Sequence, residues 1–165
     1  MTKHLIAITA ILLVVPYSRV SGQALDIGGV ELTLGEDVSD ALRSLSTYDV
    51  RYNESIKAWF VSQKSGEDAE WLGNFSASSG RVSFISKAYA LPKTGDMVRV
   101  YSGALRDAQR RGGQSCQTAP VEFTDDLIHQ IETRCGRYRL IFYLADKLAT
   151  GDLVASGISV NLGQR

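Results

Sequence analysis

Residues 116–145 read CQTAPVEFTDDLIHQIETRCGRYRLIFYLA. Two turn signals divide this stretch into three strands. Gly136-Arg137, between Cys135 and Tyr138, suits a two-residue turn with glycine first. That turn sets Thr133 opposite Leu140, Ile131 opposite Phe142 and His129 opposite Leu144. A turn centred on Asp125-Asp126 sets Cys116 opposite Cys135. The two turns are read independently. Together they bring both cysteines to one place, on the face that carries Ile131, Leu140 and Phe142. Antiparallel hairpins with one apolar face follow from this pattern.

Cys116 and Cys135 are the only cysteines in the chain. In an oxidising compartment two cysteines most simply form a disulfide, and closing a loop of about 20 residues contributes about 3 kcal/mol in the chain-entropy account. The rival reading is a metal pair, but it lacks partners. His129 is the only histidine beyond the first few residues, and there is no Cys-x-x-Cys.

Working outward toward the amino terminus, Asp96 opens a helical stripe of Met97, Tyr101, Ala104, Leu105 and Ala108, which Gly112 and Gly113 stop. Before it, Glu70 to Ala77 and Val82 to Tyr89 flank Ser78-Ser79-Gly80-Arg81, a tight-turn signal. Centred on Ser79 and Gly80, this hairpin pairs Phe75 with Phe84, Ala77 with Val82 and Trp71 with Ala88. Tyr48 to Tyr52 and Ala58 to Gln63 read as two further strands. Asp37 caps a short helix with Val38, Ala41, Leu42 and Leu45 on one side, and Ile27 to Leu34 reads as a single first strand. A final strand spans Val154 to Leu162. The class is therefore α+β: an antiparallel sheet of about eight or nine strands with two helices on one face. The repeated order of helix and meander suggests two halves.

Residues 1–24 carry a separate message. Lys3 and His4 precede an apolar run from Leu5 to Val15, and Pro16 and small or polar residues follow up to Ala24. This is the pattern of a secretory signal peptide, too short to cross a bilayer that needs about 20 apolar residues. Cleavage near Gln23 or Leu25 leaves one α+β domain, residues 25–165. Its formal charge is about −2, so no long-range field draws it to nucleic acid. A secreted or periplasmic location is expected.

Gly29 to Leu42, GVELTLGEDVSDAL, resembles the outer-membrane assembly small lipoproteins and the beta-lactamase-inhibitor-like domains. In those a strand ends in glycine and a short helix follows with valine and leucine on one face. No lipobox cysteine follows the apolar run here. The stretch from Gly80-Arg81-Val82-Ser83-Phe84-Ile85-Ser86-Lys87 through Cys116 to Cys135-Gly136 resembles uncharacterised exported bacterial proteins. The resemblances imply an exported protein and assign no activity or binding residue.

No assembled catalytic set stands out. Serines are plentiful, but none lies in Gly-x-Ser-x-Gly, and phosphate-cradling glycine motifs are absent. A hydrolase using His129, Glu122 and a nearby serine is one alternative. Glu67, Asp68 and Glu70 fall in a loop without an apolar pocket, and Glu122, Asp125 and Asp126 lack a calcium-loop pattern. No cofactor or metal is expected. Simple alternation turns Phe60, Leu72, Ile85 and Tyr89 away from Trp59, Trp71, Phe75 and Phe84. These four form a candidate partner-binding patch unless a loop or the neighbouring half covers them. The expectation is a non-enzymatic binding or structural module whose partner is a protein or other envelope macromolecule. Inhibition of a secreted enzyme is a second possibility.

Overall fold

The computed structural model describes residues 23–63, 70–89, 94–121, 128–145 and 156–163. The chain begins with a two-stranded ribbon, β1 (Ala24–Ile27) and β2 (Val30–Thr33), and continues into helix α1 (Val38–Ser44). A meander follows: β3 (Asp49–Asn53), β4 (Ala58–Ser62), β5 (Trp71–Ser78) and β6 (Arg81–Tyr89). Helix α2 (Thr94–Gly112) leads to a second meander of β7 (Cys116–Val121), β8 (Ile128–Cys135), β9 (Tyr138–Ala145) and β10 (Ser156–Gly163). The eight meander strands form one antiparallel sheet in the order β3-β4-β5-β6-β10-β9-β8-β7. Two runs of helix and four strands thus meet through their last strands, β6 and β10.

The single first strand read from Ile27 to Leu34 is two strands. Gly28 and Gly29 both adopt positive φ, 62° and 91°, and turn the chain so that Ile27 pairs with Val30. A two-residue turn with positive φ at both positions is the natural hairpin connection, and only glycine adopts it without strain. The ribbon docks on the sheet through a half-buried ion pair, with Lys87 Nζ 2.6 Å from Asp26 Oδ1. The carbonyl of Ala24 accepts hydrogen bonds from Tyr138 Oη at 2.9 Å and Arg111 Nη1 at 3.1 Å.

Helix α1 starts where the cap predicts. Asp37 Oδ1 accepts from the backbone N–H of Ser39 at 2.9 Å and from its hydroxyl at 2.8 Å. These bonds hold the Asp37 carboxyl below its usual range. Helix α2 ends against the β8–β9 turn. A Cβ placed on Gly112 would lie 1.9 Å from the carbonyl oxygen of Cys135, so the helix end approaches to a distance that only glycine permits.

The hairpin registers read from residues 116–145 hold. Cys116 pairs with Cys135, Thr133 with Leu140, Ile131 with Phe142 and His129 with Leu144. The cysteines form a disulfide with Cα atoms 4.4 Å apart, the spacing of a non-hydrogen-bonded antiparallel pair.

The β5–β6 register holds only near its turn. Ala77 pairs with Val82 as expected, but Ser76 then pairs with Phe84 and Phe75 with Ile85. Ser83 is an extra residue on β6. A second irregularity leaves Leu72 extra on β5, between the pairs Val61–Gly73 and Ser62–Trp71. Because side chains alternate with a period of two, one extra residue moves everything beyond it to the other face. The faces therefore divide differently from simple alternation. Ile85 is fully buried at 0 % exposure, and Leu72 and Tyr89 pack partly against the same core. Of the four residues placed on the second face, only Phe60 lies there. Phe84 and Trp71 join it, Trp71 with its ring 6.3 Å from that of Phe60.

One apolar cluster unites the ribbon (Leu25, Ile27, Leu32), α1 (Ala41, Leu45), α2 (Ala104, Ala108) and the sheet (Val61, Phe75, Ile85, Leu140, Ile158, Val160, Leu162). From the sheet it takes residues of a single face. Tyr101 of α2 ties itself to that face through a 2.8 Å hydrogen bond with Thr133, which in turn bonds Thr118 of β7 at 2.9 Å.

Candidate functional site

The face of the sheet opposite this core carries small and polar residues together with Phe60, Trp71 and Phe84. One row crosses all eight strands by direct pairing: Arg51, Phe60, Asn74, Ser86, Asn161, Arg139, Arg134 and Gln117. The neighbouring row toward the hairpin turns runs from Ala58 through Ser76 and Phe84 to Gly163. Asn74, Ser86 and Asn161 are buried even though they belong to this face. Asn74 is 4 % exposed, and its Oδ1 has no hydrogen-bond partner among the described residues. Leaving a buried acceptor unpaired costs about 1–3 kcal/mol, so such an atom calls for an explanation beyond packing.

The second feature of this face is a charged cluster. Glu132 of β8 is 6 % exposed and forms ion pairs with Arg134 on its own strand and Arg139 on β9. The Arg139 guanidinium hydrogen bond, aided by Arg134, holds the Glu132 carboxyl below its usual range, while burial pushes the other way. A carboxyl with a depressed folded-state pKa adds stability above its unfolded pKa and loses it as pH falls through the folded value. Wild type should therefore lose stability on acidification below the ordinary glutamate value of 4.5 more steeply than Glu132→Gln. Urea midpoints recorded across that range check this, and parallel profiles for the two proteins would count against it.

A groove of about 1170 Å³ lies over the turn end of this face. Asn74, Ser76, Phe84 and Gly163 line it, with Ile56 and Lys57 from the β3–β4 turn and Arg134, Arg137 and Arg139 from the β8–β9 hairpin. Four cations border it, and no carboxylate is among the described lining residues. Arg134 and Arg139 are engaged by Glu132. Lys57 and Arg137 are exposed and have no ion pair among the described residues. The Asn53 side chain shapes the β3–β4 turn by accepting from the N–H of Ser55 at 3.0 Å, and Lys57 completes it at φ 53°. Chemically, the groove can accept hydrogen-bonding and anionic groups.

The sequence readings meet this site unevenly. Phe60 flanks it, whereas Leu72, Ile85 and Tyr89 belong with the core. His129 sits in β8 opposite Leu144, and Glu122 lies outside the described residues, as do Glu67, Asp68, Asp125 and Asp126. Among the described residues no three His, Cys, Asp or Glu side chains gather closely enough to hold a metal ion. Ser86, Asn161, Arg139 and Lys57 carry no site signal in the sequence, Asn74 reads there only as a polar neighbour of the candidate patch, and Arg137 only as a turn residue. Their alternation is visible there, but the β6–β10 pairing that joins them comes only from the fold.

Fold and site together define a small disulfide-bonded α+β protein with an open, cation-bordered groove on one sheet face. No family model matches the chain, and no curated protein or solved structure matches it either.

Proposed function

We propose that this protein is a small secreted or periplasmic binding module that holds a protein or other envelope macromolecule on the open face of its sheet and catalyses no reaction. The observation that carries this reading is the groove face itself: it lies opposite the main apolar cluster, is largely polar, and carries beside the groove the part-buried Phe60 and the exposed Trp71. The helix residues of the apolar cluster, Ala41, Leu45, Ala104 and Ala108, pack with residues of the opposite face. The disulfide and the lack of any described helix long and apolar enough to cross a membrane are compatible with a location outside the cytoplasm. Inhibition of a secreted enzyme is a more specific form of the same reading. Ile56, 51 % exposed, and Lys57 favour it, since they stand at the rim of the groove on a tight turn.

The test is capture from the envelope fraction with wild type, a Phe60→Ala/Trp71→Ala variant and a Val98→Ala control on the outer side of α2. Wild type and the control should retain the same protein, and the double variant should retain at least about tenfold less, as expected for loss of aromatic anchors. Equal retention by all three, or no specific capture, would refute the reading.

The address makes its own prediction. Gln23 and Ala24 already belong to the folded ribbon: the carbonyl of Gln23 accepts from Leu34 at 2.9 Å, and that of Ala24 accepts two side-chain donors. Mass spectrometry of the exported protein should find Gln23 as the first residue, since starting at Leu25 removes all three bonds. An intact Met1 would sink the export argument, and Leu25 at the terminus would sink the cleavage position.

A further inference from the structure

We infer that the groove takes an acidic peptide segment, with Lys57 and Arg137 holding carboxylates at its two ends and Asn74 supplying a hydrogen-bonding amide in its floor. This rests on the binding-module reading and specifies the partner's chemistry. Charge complementarity carries it. Four cations and no carboxylate are found among the described lining residues, although the whole chain is formally neutral. Two of those cations, Arg134 and Arg139, share the single carboxylate of Glu132 and are held by it. That leaves Lys57 and Arg137, exposed and without an ion pair among the described residues. Arg137 presents a planar fork suited to a carboxylate, and Lys57 a point charge.

The spacing bounds the ligand. Lys57 belongs to the turn between β3 and β4, and Arg137 to the turn between β8 and β9. Five strand spacings separate these turns in the sheet order. At about 4.8 Å each, the span is at most about 24 Å, or about seven residues of extended chain. Twist and curl of the sheet shorten it. A phosphate polymer or an anionic lipid surface fits less well. Between the cations lie uncharged small residues with Phe84 and Ile56, and a neutral chain lacks the broad field that draws polyanions. Amide and apolar surface between two separated charges suit a peptide. Asn74, 4 % exposed, lines the same groove with its Oδ1 unpaired.

The experiment pans a phage library of random peptides of about 12 residues against the full-length, oxidised, exported protein. Selected peptides should be enriched in Asp and Glu. As free peptides they should bind Lys57→Gln/Arg137→Gln at least about tenfold more weakly than wild type, with a smaller salt dependence, because two charge-assisted contacts are lost. Both positions are exposed, so the variant should keep the wild-type urea midpoint. Recovery of no peptides, recovery of peptides without acidic enrichment, or undiminished binding to the double variant would overturn the inference. Phosphatidylglycerol vesicles and inorganic tripolyphosphate serve as the other arms. Tighter binding of either than of the selected peptides, lost in the double variant, would assign the groove to that anion instead. The two levels of failure are separable. If wild type and Lys57→Gln/Arg137→Gln capture the same envelope protein equally, the module stands and the acidic ligand falls; if wild type captures nothing, the module reading falls with it.

Discussion

Replacing both cysteines by alanine is expected to lower stability by about 2–4 kcal/mol while leaving the protein folded. The bond closes a loop whose ends are 19 positions apart, and its loss frees the unfolded chain of that constraint. Its partners differ in the folded state. Cys135 is fully buried, while Cys116 starts β7, an exposed edge strand that includes Pro120. Proline cannot donate to a ladder, so β7 holds fewer backbone bonds than an inner strand. Stability should therefore be lost first at this edge. Urea denaturation gives the magnitude, and hydrogen exchange should show β7 amides losing protection ahead of β6 and β10. An unchanged urea midpoint would mean that the bridge contributes nothing.

The largest single-residue effect is expected at the face that the bulges rearrange. Ile85→Ala should cost about 2–5 kcal/mol, because Ile85 is fully buried against Phe75 in the cluster shared with both helices. Phe60→Ala should cost about 1 kcal/mol or less, since Phe60 lies outside that cluster on the open face. Simple alternation puts Ile85 and Phe60 together and predicts similar, small costs. The paired denaturation midpoints decide between the two arrangements: a mild Ile85→Ala would restore the simple register and remove the bulge at Ser83.

What could be read without the structure was what neighbours along the chain decide. Asp37 names its own helix start through a side chain reaching two residues on. Gly136-Arg137 sets its hairpin because a two-residue turn leaves the register little freedom, and the Cys116–Cys135 pair follows the register read from the chain although residues 122–127 lie outside those described. Gly28-Gly29 carried an equally local signal. The alternation of Val30, Leu32 and Leu34 continued past it and concealed a turn that should have divided the strand.

Tertiary structure decided the rest. The extra residues at Ser83 and Leu72 look like any others in the chain, since a bulge arises when a whole strand must bend to keep Phe75, Ile85 and Val61 in one core. The candidate groove depends on that choice twice. The bulges turn Phe84 and Trp71 to the open face and send Ile85 inward. The pairing of β6 with β10 then aligns Asn74 and Ser86 with Asn161 and Arg139 across about 75 residues of sequence. Residues 116–145 by themselves determined the hairpins, their registers and the disulfide, because each pairing closes over a short loop. Only the folded sheet determined which face is left open and which cations meet there, because that depends on strands far apart in the chain competing to bury the same apolar side.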